Sequence, residues 1–215
     1  MPNRVAAEAS PYFEAFKKHG IEVLFCYTPL DEFVFNTLTS VGDMQLSSIE
    51  SNDAAEDLAA AAKRGDGERG DSDAEGEGGK DGDAARGGAL SEEEAAALTT
   101  WLTGDALKGK VASVKVTSRL VDTPCIVVNH ESAAMKRMSQ FLAADKEQEH
   151  PPQELEINAS HDIVKGLHAA MEDREPLARL VAEQLFDNAL IAAGTLDDPR
   201  PMLPRMNDIL ARVLK

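Results

Sequence analysis

Apolar positions fall into three stretches of different rhythm along this chain. In the first, Ser10 and Pro11 open a short helical pattern, with Phe13 and Phe16 on one side and Lys17 and Lys18 near its end. Proline is tolerated in a first helical turn, because its missing N–H has no intrahelical partner there. Gly20 supplies the stop. Residues 21–27 are short, apolar and β-branched or aromatic, which predicts a buried strand. Asp31 is expected to cap a helix that runs to Leu38, with Phe33, Val34, Thr37 and Leu38 at helical spacing. Residues 44–49 alternate weakly and are read as a second strand. Helix, strand, helix and strand together predict part of an α/β layer over residues 1–50.

The second stretch, residues 51–89, is Gly-rich and dominated by Asp and Glu, with almost no large apolar side chain after Leu58. Such a segment cannot bury enough surface to offset its ordering entropy, so it is read as a disordered linker. Its acidic residues are too irregularly spaced for a calcium-binding loop.

The third stretch, residues 90–215, is helix-rich. Ser91 and Glu94 form a capping box behind Leu90, and the helix that follows presents Leu98, Trp101 and Leu102 on one face. Residues 110–120 alternate as a strand, with Ala112, Val114, Val116 and Leu120 facing one way. Asp122-Thr123-Pro124 breaks it, and residues 125–128 give a second strand, expected to pair antiparallel with the first. Ser132 opens a helix to about Ala144 with Met135, Met138, Phe141 and Leu142 on one face and Lys136, Arg137 and Gln140 opposite. Leu155-Glu156-Ile157 reads as a short extended piece, and Ser160 as the cap of a helix through Met171, with His161 at its start.

The final helix pair is the most apolar part of the chain. Residues 176–193 carry Leu185, Phe186, Leu190 and Ile191 and end at Gly194. The last helix repeats Leu203, Met206, Leu210 and Val213 at three-four-three spacing, a coiled-coil-like seam widened by Ile209 and Leu214. Pro204 requires the regular helix either to begin there or to bend. Several large apolar side chains left in water would make an unusual surface for a monomer. The pair must fold back on its own domain or be covered by a second copy in a symmetric bundle. The pattern alone does not choose.

Composition narrows the function classes. The formal charge of −16 works against phosphate and anionic-membrane binding, so neither nucleic acid nor membrane is an expected partner. Cys26 and Cys125 are too few for a disulfide scaffold and form no CxxC pair. Cys125 and His130 are near in sequence, but strand geometry gives no reason to place them in reach. A small α/β enzyme using Cys125 is therefore the weakest alternative. The histidines show no metal-ligand spacing, and no metal site is expected. Tyr12 and Phe13 already lie inside an amphipathic pattern, as expected of a segment from a longer protein.

The text also carries a resemblance. Ser10-Pro11-Tyr12-Phe13-Glu14-Ala15-Phe16-Lys17-Lys18, Ile21-Glu22-Val23-Leu24-Phe25 and Leu30-Asp31-Glu32-Phe33 resemble the end of the middle domain in heat-shock protein 90 chaperones. Val116-Thr117-Ser118-Arg119-Leu120 with Thr123-Pro124-Cys125-Ile126-Val127 is similar to the sheet of their C-terminal domain. Leu155-Glu156-Ile157-Asn158 with His161 looks like a further signature, although Ala159 stands where the family usually has Pro. Leu196-Asp197-Asp198-Pro199 looks like the turn between the two dimerisation helices. Leu24-Phe25-Cys26-Tyr27, Asn129-His130-Glu131-Ser132-Ala133-Ala134-Met135 and Ala192-Ala193-Gly194 are most similar to the mitochondrial branch. The chain ends at Lys215 without the acidic tail of cytosolic eukaryotic members.

The resemblance implies an α+β fold: a small α/β segment over residues 1–50, then a helix-rich C-terminal domain over residues 90–215. That domain is expected to hold a small antiparallel sheet and a terminal helix pair that forms a four-helix bundle in a homodimer. It implies an ATP-driven chaperone whose nucleotide pocket, with ATP and Mg, lies in an N-terminal domain outside this sequence, leaving no cofactor and no catalytic residue here. Unfolded or partly folded client proteins are the implied partners, met by Met135, Met138, Phe141 and Leu142. The implied dimer interface includes Leu185, Leu190 and Ile191 on one helix. On the other it includes Leu203, Met206, Ile209, Leu210, Val213 and Leu214. The implied location is the mitochondrial matrix, with the cytoplasm as alternative. A passive dimeric scaffold is the competing reading.

Overall fold

Caps and glycines set the element boundaries in the computed structural model, which describes residues 3–58, 88–130 and 151–214. The Asn3 side chain caps α1 (Arg4–Glu8), and α2 (Glu14–Lys18) ends just before Gly20, which turns the chain at φ 65°. Residues 21–27 then depart from expectation: they pair with no strand among the described residues, and Leu24 is exposed. Apolar content alone cannot make a strand where no neighbour offers a ladder. The next helix, α3 (Pro29–Thr37), starts earlier than predicted. Thr28 is the N-cap. Asp31 sits one turn in, its carboxylate accepting from the N–H groups of Tyr27 (3.1 Å) and Thr28 (3.0 Å). Val34 and Leu38 are exposed. The predicted strand over 44–49 shrinks to β2 (Met44–Gln45), paired antiparallel with β1 (Ser40–Val41) around Gly42. The segment therefore combines short helices with one small hairpin among the described residues.

Regular structure continues past residue 51, where the acidic stretch begins. Residues 54–58 are helical, and Ala54 and Leu58 bury against Ala15 and Phe16. Two well-spaced apolar residues suffice to dock a turn of helix that the acidic surroundings disguise.

The main core begins at α4 (Glu92–Trp101), where the expected capping box forms: Ser91 Oγ accepts from the Glu94 N–H, and Glu94 accepts from the Ser91 N–H at 2.8 Å. A π-helical turn (Leu102–Ala106) continues it and buries Leu102 and Ala106. The strands β3 (Val111–Val116), β4 (Cys125–Val128) and β5 (Gln153–Ile157) form one sheet in the order β3-β5-β4. β3 runs parallel to β5, and β4 antiparallel to it. The sheet is therefore mixed, not antiparallel, and β3 and β4 do not pair; the piece at residues 155–157 is its central strand. A register shift between Val111 and Ser113 also breaks the predicted alternation of β3. Val111 and Val114 meet the core, while Val116 is exposed at the sheet edge.

Helix α5 (Asp162–Asp173) is capped by His161, not Ser160: its Nδ1 accepts from the Ile163 N–H at 3.1 Å. Then come α6 (Glu175–Ala193), stopped by Gly194 at φ 71°, and α7 (Met202–Val213). Pro204 is the third residue of α7, so its missing N–H falls in the first turn and no kink follows.

α4, α5 and α6 cover one face of the sheet, with Leu98, Val127, Leu155, Val164 and Phe186 at the centre. Each such side chain contributes roughly 1.5–3 kcal/mol by leaving water. On the other face, Ile126 and Val128 bury against Tyr12 and Leu120. β4 is thus covered on both sides, and the second cover is the N-terminal segment.

Candidate interaction face and sheet junction

The helix pair α6–α7 presents two kinds of surface. Leu185 belongs to the chain's own core, 9% exposed, with its carbonyl receiving the Cys125 Sγ at 3.5 Å. It has little surface left for a partner. Leu190 is half-buried against the same core, and Ile191, one residue on, is 48% exposed. On α7 the predicted seam faces solvent: Leu203 and Leu210 are each 52% exposed and Val213 71%, with Met206 and Leu214 exposed as well. Ile209 is half-buried. Ile191 on α6 and the seam of α7 are thus both exposed apolar surface. An apolar strip of that kind on a soluble protein is the mark of an interaction surface.

Met135, Met138, Phe141 and Leu142 lie outside the described residues. Their attachment points are defined: the chain leaves β4 at Val128 and re-enters β5 at Gln153. These strands are antiparallel neighbours, so both points lie at one end of the sheet.

Between the sheet and the N-terminal segment sits a polar junction that sequence reasoning missed, reaching from Glu154 at this end to Glu156 near the other. Arg119 is buried and donates from Nε to Glu156 at 2.7 Å, and from Nη1 to the carbonyls of Ile49 (3.1 Å) and Ser51 (3.0 Å). Glu14 accepts from the N–H groups of Val121 (3.0 Å) and Asp122 (2.8 Å). The Tyr12 hydroxyl donates to the Val127 carbonyl, and burial holds that phenol well above its ordinary pKa. Asn52 donates to Glu154 at 2.6 Å, and Asn129, in the left-handed region at φ 52°, donates to the same carboxylate at 3.2 Å. The Asn52 bond first, then the Asn129 bond, lowers the Glu154 pKa. Arg119 and Glu156 both fall on the polar side of alternating patterns, so nothing local in the sequence marks them as buried.

The thiol–imidazole pairing does not assemble. Cys125 is buried, and burial pushes its thiol up to about 12, far from a nucleophile. The His130 ring lies against Tyr12, centroids 5.9 Å apart, with Glu50 at 3.7 Å. Among the described residues there is no cluster that would hold a metal ion, and no helix is long and apolar enough to cross a membrane.

A small mixed sheet is thus backed by helices on one face, and α7 keeps an exposed apolar side. The Hsp90 protein family model matches residues 2–215, and the chain belongs to the Hsp90 family. It is 34% identical, over its whole length, to the mitochondrial TNF receptor-associated protein 1 homolog of Dictyostelium discoideum. It is 35% identical to the mitochondrial heat shock protein 75 kDa of Bos taurus and, also over its whole length, 35% identical to the chaperone protein HtpG of Desulfitobacterium hafniense. The chain spans 27%, 28% and 31% of these relatives.

Proposed function

We propose that this chain is the dimerisation and client-binding region of an ATP-dependent chaperone of the Hsp90 family, acting in protein folding and working in mitochondria. Two relatives bear mitochondrial names and a third is named a chaperone, which supports the setting and the role. The observation that carries the dimer reading is the exposed apolar seam of α7. A second copy of the same seam is the occupant that closes it. An isologous contact pairs each apolar patch with itself, and two helices from each copy make a four-helix bundle. ATP and its Mg ion would be handled by parts of the longer protein outside this sequence; the present residues supply assembly and surface.

Clients are assigned to the segment that carries Met135, Met138, Phe141 and Leu142. Methionine's flexible, polarizable side chain suits contact with varied partners. The test is a pair of variants. Ile191→Glu with Leu210→Glu should convert a dimer into a folded monomer. Met138→Glu with Phe141→Glu should keep the dimer and lose suppression of aggregation of a model substrate. A dimer that suppresses aggregation equally well with and without the methionine-face changes would leave a passive scaffold as the better description.

A further inference from the structure

α7 carries two faces, and among the described residues only one of them packs against the rest of the chain. At about 100° per residue, Met202, Arg205 and Ile209 share one side of the helix. Met202 is buried, and Arg205 and Ile209 are partly covered where α7 packs back on α6. Leu203, Met206, Leu210 and Val213 share a second side, about a quarter turn away. The second side is the more apolar of the two. Hydrophobic burial alone would roll α7 about its axis and press that side onto α6.

One residue opposes the roll. Arg205, whose side chain is 14% exposed, lies over three acceptors of α6. Its Nη1 donates to Glu183 at 3.2 Å, its Nε to Gln184 at 3.3 Å, and its Nη2 to Asp187. Residues 183, 184 and 187 lie on one stripe of α6, so the planar guanidinium meets them as a fork with a fixed direction. Rolling α7 would strip all three bonds and take the partly buried guanidinium and Asp187 away from each other, while Glu183 would keep only Lys110, at 3.1 Å.

We propose that Arg205 is a positioning residue that sets the rotation of α7, turning the Leu203–Met206–Leu210–Val213 side away from its own α6 and toward a second copy. This rests on the dimer reading above and deepens it: the interface is held out by a polar clamp that lies beside it and not in it. Arg205→Met retains length and apolar stem and removes the fork. It should raise the dimer dissociation constant roughly tenfold or more, with helix content unchanged.

A second arm reads orientation without needing a dimer. In a Cys26→Ser background, Leu210→Cys places a thiol on the seam, and its alkylation rate is measured at dilutions where the chain is monomeric. Adding Arg205→Met should slow alkylation severalfold as the seam turns inward; simple loosening would speed it. Arg205→Lys should fall between, and if Arg205→Met does not fold, Asp187→Asn with Glu183→Gln serves in its place. A clamp-free chain that dimerises as tightly as the unmodified one, or whose thiol reacts no more slowly, overturns the proposal. An unmodified chain that stays monomeric overturns the dimer reading, and the alkylation arm still decides the clamp.

Discussion

Arg119 and Glu156 are charged yet buried, and each makes the other tolerable. Removing Arg119 alone leaves a carboxylate under the sheet without its partner and frees the carbonyls of Ile49 and Ser51. Arg119→Met is expected to cost about 3–5 kcal/mol. Arg119→Met with Glu156→Leu should recover part of that loss; urea unfolding of both variants checks it. A weaker, pH-dependent contribution comes from Glu154. Its pKa is lowered in the folded chain by the amides of Asn52 and Asn129. The stabilisation is therefore present above the ordinary carboxylate range and is lost as pH falls through the lowered folded value. Asn52→Ala should flatten that acid limb in a stability-versus-pH series. Cys125, with its thiol pushed up to about 12, should resist alkylation until the chain unfolds. These residue-level features were barely legible in advance. A Glu between Leu155 and Ile157 looks like the exposed side of an alternating strand, and only the approach of Arg119 from elsewhere in the chain covers it.

At the scale of elements, helices were legible and strand order was not. Capping and stop signals are local: Ser91 with Glu94, and Gly194, act within a turn of where they stand. Gly194 occupies the left-handed region, so Gly194→Ala should cost about 1–2 kcal/mol, read as a lowered Tm. Sheet order is a non-local property. Nothing in residues 111–128 announces that β5 will slip between the two earlier strands, and the register shift near Ala112 erases the period that would show which side is buried. The predicted strand at residues 21–27 failed for the same reason in reverse, being apolar in text with no ladder neighbour among the described residues. Local acidity likewise hid the helical turn at residues 54–58, whose two apolar contacts are made to α2.

For the whole molecule, the fold reads as two covers over one sheet. Helices α4, α5 and α6 supply one cover, and the N-terminal segment supplies the other through Tyr12 and the polar junction. That arrangement buries faces of α4, α5 and α6, whereas α3 and α7 keep exposed apolar side chains. The family resemblance in the text and the match across residues 2–215 agree on what kind of protein this is. The exposed apolar seam is what the dimer proposal rests on. Leu185 shows the limit of pattern reading: a leucine at the right spacing on an apolar helix belongs to the chain's own core. The most direct measurement is sedimentation equilibrium of the unmodified chain over a wide concentration range. The account predicts a mass about twice the 23.1 kDa of one chain, falling to one chain in Ile191→Glu with Leu210→Glu. A mass of one chain at every concentration, with the α7 seam still open to water, would contradict it.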